Sequence, residues 1–416
     1  MPITMIDNER QARIKVVGVG GGGGNAINRM IQSGMHGVEF IAINTDAQAL
    51  ETSSADFFLC IGDSVTRGLG AGADPEVGHQ AVEEDREKVS DLLQDADLVF
   101  ITAGMGGGTG TGAAPVVAEI ARQQGALAVG IVTEPFIMEG SPRMNNARSG
   151  IEELQEHVDT LITIKNQRLL TICGRETTLR DAFFKADEVL MQATRGIADL
   201  ITIPGMINLD FNDVRTVISK GGDAIMGVGA HCGENRAVEA ARKAINSPLL
   251  EDVSISGAKG VLINIAADSN LTLFEVNEAM SLIHEATGPD ATIIFGTVID
   301  DSLEGDIRVT VIATGFSHGR ENTIPFRKLE QENSLQSQAV NADAPSVENQ
   351  APIDGLGRSA NSPLNAPVFR GNTNVKANAP ENGNGNANGN SLPQQQGGEP
   401  AENLDIPTFL RRKMNA

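Results

Sequence analysis

The sequence predicts an α/β fold. A parallel sheet with glycine-rich loops at its strand ends leads into one long helix, and a smaller α+β region follows. Three observations carry this. Apolar runs at 14–20 and 97–102 each pass into a cluster of glycines and then into helical apolar spacing. From Leu179 to Thr202, residues Ala182, Phe183, Ala186, Val189, Leu190, Ala193, Ile197 and Leu200 recur at intervals of three and four. Strand-like runs at 260–266, 291–295 and 307–312 then mix with helical stretches and carry no phosphate-type glycine loop. The expected divisions are a flexible N-terminus at 1–12, a ligand-binding domain at 13–178, a central helix at 179–203 and a second domain at 204–316. A disordered linker at 317–401 and a short peptide at 402–416 complete the chain.

With 416 residues, 40% of them hydrophobic, the chain can bury a large core divided between domains. Its net charge of −22 argues against nucleic-acid binding and against direct adhesion to anionic lipid. Cys60, Cys173 and Cys232 form no CxxC, which fits a reducing compartment and offers no zinc site. The N-terminus has no signal-type pattern and no apolar run is long enough to span a bilayer, so a cytoplasmic protein without membrane insertion is expected.

The densest motif is Ala103-Gly104-Met105-Gly106-Gly107-Gly108-Thr109-Gly110-Thr111-Gly112, between a strand and a helix whose Pro115 suits a first turn. Six glycines in ten residues imply positive φ or close approach to something bulky. The helix behind presents unpaired N–H groups and its positive dipole end, which makes a phosphate the leading guest; a mobile turn is the plainer alternative. No Lys or Arg lies in the motif, so it is not a G-x-x-x-x-G-K-[ST] loop.

In chain order, the first strand runs into a loop at 21–25 and a helix at 26–31, and a second strand at 38–45 ends at Asp46. Gly18, Gly20 and Gly23, with an acid about 23 residues on, also fit a dinucleotide fingerprint. A dehydrogenase would leave the second, denser loop without a role. Two glycine loops at adjacent strand ends suit a nucleoside triphosphate held at both ends, and on residues alone Asp46 is a turn acid that ends a strand. A third glycine-rich loop, 68–74, precedes Pro75 and a polar helix through about Asp95. A strand at 126–132 leads to Glu139 and Arg143, a nucleotide-end pair or a surface ion pair, and a strand at 160–164 leads to Asn166.

The central helix should be roughly 36 Å long at 1.5 Å per residue. On it, Asp187 adjoins the apolar stripe, where a carboxylate could accept both N–H donors of a guanine edge. Phe183, one turn earlier, could stack on the base or belong to the core. In Asn208-Leu209-Asp210-Phe211-Asn212-Asp213 two acids spaced by three stand just before a helix expected at 214–219, where on residues alone they read as N-cap chemistry. The linker is rich in Asn, Gln, Gly, Pro and Ser and cannot bury enough apolar area to order itself. As a coil it would span about 50 Å. The run Asp405-Ile406-Pro407-Thr408-Phe409-Leu410-Arg411 breaks that pattern and reads as a short motif that orders on a partner.

Gly106 to Gly112 resembles the signature of the tubulin superfamily, and the other motifs narrow the resemblance to the FtsZ family of prokaryotic division GTPases. It covers residues 13 to about 315 and returns in the last dozen. The resemblance implies a Rossmann-like, tubulin-type GTPase domain that binds GTP or GDP with Mg2+. By position, Gly21, Gly22, Gly23, Gly24, Asn25, Asp46, Ala71, Gly72, Gly107, Gly108, Thr109 and Gly110 would hold the phosphates, with Ala71 and Gly72 sensing the γ-phosphate. Glu139 and Arg143 would serve the ribose, and Asn166, Phe183 and Asp187 the guanine. Asn208, Asp210 and Asp213 would complete the GTPase site of a neighbouring subunit in a head-to-tail homopolymer that builds the division ring at mid-cell. Asp405, Ile406, Pro407, Phe409, Leu410 and Arg411 would dock on membrane-tethering and regulatory division proteins. Arg195 departs from the family pattern, where an uncharged amide is common, and bears on the contact between the domains. The rivals are a nicotinamide-dependent oxidoreductase and a nucleotide-gated scaffold without turnover.

Overall fold

In the computed structural model the described residues are 12–174, 176–203, 205–207, 209–250 and 255–316. All of them belong to one compact unit. Asn208, the linker, the N-terminal residues 1–11 and the tail motif 405–411 lie outside the described residues.

The first half contains β1 (Ile14–Val19), α1 (Gly20–Gln32), β2 (Glu39–Asn44), α2 (Ala47–Glu51), β3 (Phe57–Cys60), α3 (Asp63–Thr66), α4 (Pro75–Glu84), α5 (Arg86–Leu93), β4 (Leu98–Gly104), α6 (Thr109–Gln123), β5 (Leu127–Glu134), α7 (Ser141–His157), β6 (Thr160–Lys165) and α8 (Asn166–Leu169). The long helix α9 (Leu179–Thr202) has the bounds its apolar spacing predicts, and its N-cap Thr178 accepts from the Asp181 N–H. Beyond it come α10 (Phe211–Ile218), β7 (Asp223–Cys232), α11 (Arg236–Ile245), β8 (Gly260–Ala267), α12 (Leu273–Thr287), β9 (Thr292–Ile299) and β10 (Asp306–Phe316).

The ten strands among the described residues form one sheet in the order β3-β2-β1-β4-β5-β6-β7-β10-β8-β9. The first six are parallel, and only Leu161–Asp223 and Ile162–Ala224 pair β6 to β7. Beyond that seam β10 runs antiparallel to β7 and β8, and β9 is parallel to β8. Alternate strand residues feed opposite faces, which is why the strands read as unbroken apolar runs. Val16 and Phe100 join α1, α9 and α10 in one core, while Val17 and Ile101 join α4 to α7 in another. α9 packs its Ala186, Val189, Leu190, Ala193 and Ile197 in the same core as Val16 and, across the seam, Leu262 and Ile312.

Three local expectations are corrected. Residues 21–24 are not a loop ahead of a helix but its first turns, because α1 starts at Gly20. α6 likewise starts at Thr109, which makes Pro115 its seventh residue rather than part of its first turn. The single helix expected from Pro75 to Asp95 is two, broken at Asp85. There the buried Asp85 carboxylate accepts from the Gly62 N–H at 2.8 Å and pairs with Lys88 at 2.6 Å, while its own φ of −108° leaves the helical range. No helix among the described residues is long and apolar enough to cross a membrane.

Candidate functional site

The strand order turns at β1 and β4, since the chain builds outward through β2 and β3 before returning to the other side of β1. In an open α/β sheet the crevice at the carboxyl ends of such a pair receives ligands. Here α1 springs from the end of β1 and α6 from just beyond β4. Neither helix has a side-chain N-cap or an acid in its first turn. Two sets of N–H groups and two positive dipole ends therefore converge without an internal counter-charge. Glycine permits this convergence: Gly20 has φ +71°, and a Cβ on it would stand 2.9 Å from the Gly110 nitrogen.

A cavity of about 630 Å³ opens at this point. It is lined by Gly21, Gly22, Gly24 and Asn25 of α1, by Gly107 and Gly108, by Thr109 and Gly110 of α6, and by Asp46, Ala71 and Gly72. The loops are joined by hydrogen bonds. Thr45 and Thr109 place their Oγ1 atoms 2.6 Å apart, the Ala71 N–H donates to Thr45 Oγ1 at 2.9 Å, and the Gly108 N–H donates to the Gly72 carbonyl at 3.1 Å. Asp46 caps α2, its Oδ1 accepting from the Gln48 and Ala49 N–H groups. Gly23 does not line the cavity. It is buried behind the wall, where a Cβ would meet the Thr102 carbonyl oxygen at 2.4 Å, so its role is to let α1 lie against β1 and β4.

Glu139, Arg143, Asn166, Phe183 and Asp187 line the cavity as well. Glu139 Oε1 accepts from the Phe136 N–H at 2.9 Å and its Oε2 from Arg143 Nη1 at 2.9 Å, which fixes the pair at the start of α7. Phe183 meets Phe136 edge to face, centroids 5.3 Å apart at 86°. Asn166 is 4% exposed, and its Oδ1 has no hydrogen-bond partner among the described residues. A buried amide oxygen left unpaired on a cavity wall calls for a donor from whatever fills it.

Asp210 and Asp213 lie elsewhere. The cavity reaches Phe183, Ala186 and Asp187 in the first turns of α9, whereas both acids come after its end, at the start of α10. Asp210 is the N-cap, accepting from the Asp213 N–H at 2.8 Å. At mid-helix, Arg195 donates to Asp199 at 3.1 Å and sits 3.5 Å from Asp300 beyond β9, beside a small cavity of about 130 Å³ against β8 and β10. Burial raises the Asp199 carboxyl even though Arg195 opposes it. Burial also acts to raise Asp300, but the Ser302 hydrogen bonds and Arg195 outweigh it and its carboxyl is lowered.

Sequence reasoning missed Thr45, Arg29 and Phe184. The last two also line the large cavity, the Arg29 Cζ 3.1 Å above the Phe184 ring centre. Arg29 follows Asn25 by one helical turn, and that spacing was the available signal.

A doubly wound sheet with two glycine-built helix starts at its switch point is the architecture that α/β proteins use for phosphate-bearing ligands. Residues 13–174 match the GTPase domain of the Tubulin/FtsZ family, and residues 222–317 match the C-terminal domain of the FtsZ family. The chain belongs to the FtsZ family. It is 48% identical to an empty FtsZ dimer structure from M. jannaschii over 74% of this chain and 89% of that one, with a TM-score of 0.72. A mutant of the same archaeal protein gives 48% identity over 73% and 91%, with a TM-score of 0.71. CetZ1 from Haloferax volcanii, solved as a GDP-bound monomer, shares the fold at 21% identity, covering 78% of this chain and 99% of that one with a TM-score of 0.64.

Proposed function

We propose that this chain binds and hydrolyses GTP, assembles head to tail into filaments and forms the cytoplasmic division-ring scaffold at mid-cell. The observation that carries the reading is the separation just described: a nucleotide-sized cavity at the N-terminal end of α9 and two acids beyond its C-terminal end. A single chain then holds only part of a hydrolytic site, and a second copy supplies the rest through a heterologous contact that repeats into a filament. The dimeric M. jannaschii relative supports self-association.

In this reading the N–H groups of α1 and α6 bind the phosphates, and the guanine lies among Asn166, Phe183 and Asp187. Asp187 accepts from the donors on the base, which adenine does not offer in that pattern. No group of three or more His, Cys, Asp or Glu side chains that could hold a metal occurs among the described residues. Mg2+ normally takes one or two protein groups plus phosphate oxygens and water, a set that Asp46 and the Thr109 hydroxyl fit. It would neutralise charge on the phosphates; the residues of this chain orient the nucleotide and, from the neighbouring copy, the attacking water. Residues 13–178 and 204–316 act as nucleotide-binding and assembly domains on either side of α9. The tail motif recruits membrane-tethering and regulatory proteins, so deleting 405–416 should spare turnover and abolish recruitment.

The test is phosphate release from GTP across a range of protein concentrations, with GTP and NAD(H) binding measured in parallel. Specific activity that rises steeply above a critical concentration is expected. GTP retained without phosphate release at any concentration would favour a non-enzymatic scaffold, and binding of NAD(H) without GTP would sink the reading altogether.

A further inference from the structure

The Arg29 Cζ stands 3.1 Å above the centre of the Phe184 ring. At that distance no guanidinium N–H can be inserted between plate and ring, so the plate lies flat on the ring face and its donors point outward in its own plane. Among the described residues the Arg29 guanidinium makes no hydrogen bond or ion pair. Both residues line the cavity, Arg29 one turn beyond Asn25 on α1 and Phe184 next to Phe183 on α9. A rigid fork of donors is thus mounted on the cavity wall beside the first turns of α9, and Asp187, three residues beyond Phe184 on that helix, lines the same cavity.

We propose that Arg29, held flat by Phe184, is a specificity-determining residue that donates to the acceptor edge of guanine, O6 and N7. This rests on the guanine-nucleotide reading and adds to it. Guanine offers donors on one edge and the acceptors O6 and N7 on another, whereas adenine replaces O6 with an amino donor. Asp187 takes the donor edge and Arg29 the acceptor edge, so adenine is rejected twice. A guanidinium matches O6 and N7 as a pair, which an ammonium cannot do with the same geometry.

The test is a cycle between ligand and protein: affinities of GTP and 7-deaza-GTP for the full-length chain and for Arg29→Ala, at concentrations below assembly. 7-Deaza-GTP lacks only the N7 acceptor. Wild type is expected to bind it roughly tenfold more weakly than GTP. Arg29→Ala is expected to bind both alike, with GTP affinity lowered, and Arg29→Lys to restore the difference only in part. Phe184→Leu should shrink the difference while leaving Arg29 in place. An equal penalty in wild type and Arg29→Ala, or no penalty in wild type, overturns the role of Arg29 and leaves the guanine reading standing. Wild type that binds neither nucleotide overturns that reading, and this inference with it.

Discussion

Thr45 and Thr109 meet hydroxyl to hydroxyl at 2.6 Å, joining the end of β2 to the first residue of α6. Thr45 is fully buried and also receives the Ala71 N–H at 2.9 Å, so one side chain sets the spacing between the Ala71–Gly72 loop and the α6 N-terminus. Thr45→Val keeps the shape and removes the oxygen, leaving the Ala71 amide without its partner. The expected cost is about 1–3 kcal/mol of unfolding free energy, with Thr45→Ser losing less. Urea denaturation of the three proteins decides it, and an unchanged midpoint for the valine variant would count against this account.

Gly23 and Gly24 are neighbours with opposite requirements. A Cβ at Gly23 would stand 2.4 Å from the Thr102 carbonyl oxygen and 2.8 Å from the Gly18 carbonyl carbon, both backbone, whereas one at Gly24 meets nothing within 4 Å. Gly23→Ala should therefore lower stability by about 1–3 kcal/mol although it leaves the cavity wall untouched. Gly24→Ala should fold as well as wild type or slightly better, since alanine is the better helix former by up to about 1 kcal/mol. Because Gly24 faces the cavity, that variant should instead lose nucleotide affinity. Melting curves with and without GTP separate the two, and equal behaviour would contradict the packing.

That contrast marks how far the sequence could be read. The apolar stripe of α9 is a local signal, and it placed the helix between the right residues. The glycine clusters identified the strand ends that border the large cavity, because few other uses justify so many glycines. What decides between Gly23 and Gly24 is β4, far along the chain, and no local pattern encodes it. The start of α1 was missed because glycines read as loop, and here no side-chain cap marks the boundary. The break at Asp85 depends on a hydrogen bond to Gly62, and the stacking of Arg29 depends on a ring carried by another helix. Both are tertiary facts. A lone arginine on an amphipathic helix reads as a solvent-facing residue.

Arg195 carries a pH signature. Burial raises the Asp199 carboxyl above its ordinary range, and the Arg195 guanidinium at 3.1 Å works against that rise. A carboxylate with a raised folded-state pKa favours the protonated form, so it weakens the fold as pH climbs from the unfolded pKa through the folded one. Arg195→Gln should enlarge that rise. The variant should be destabilised at pH 7, regain stability relative to wild type as pH is lowered, and be largely rescued by a second change, Asp199→Asn. Denaturant midpoints between pH 5 and 8 test this; a deficit independent of pH would mean that Arg195 acts through packing alone.

The final expectation concerns Asp213. Its carboxylate is not the cap of α10: Asp210 provides that, and the Asp213 contribution to the cap is its backbone N–H. Asp213→Ala therefore leaves the local fold intact, whereas Asp210→Ala also removes a cap worth about 1 kcal/mol. If the acid serves the nucleotide of the next copy by orienting or deprotonating water, its loss should slow turnover by roughly 10²–10⁴-fold without touching nucleotide binding. Within one chain the cavity contacts the first turns of α9 and the acids follow its last, so a straight helix of roughly 36 Å keeps them apart. The variant should then bind GTP normally, form sedimentable polymers that persist, and release little phosphate. Mixed with wild type it should depress the rate by more than simple dilution, because each variant subunit disables the site of its neighbour. Binding, sedimentation and phosphate release measured on the same mixtures give the answer. A variant that hydrolyses normally, or wild-type specific activity that stays flat as the protein is diluted, would mean that one chain completes the site by itself.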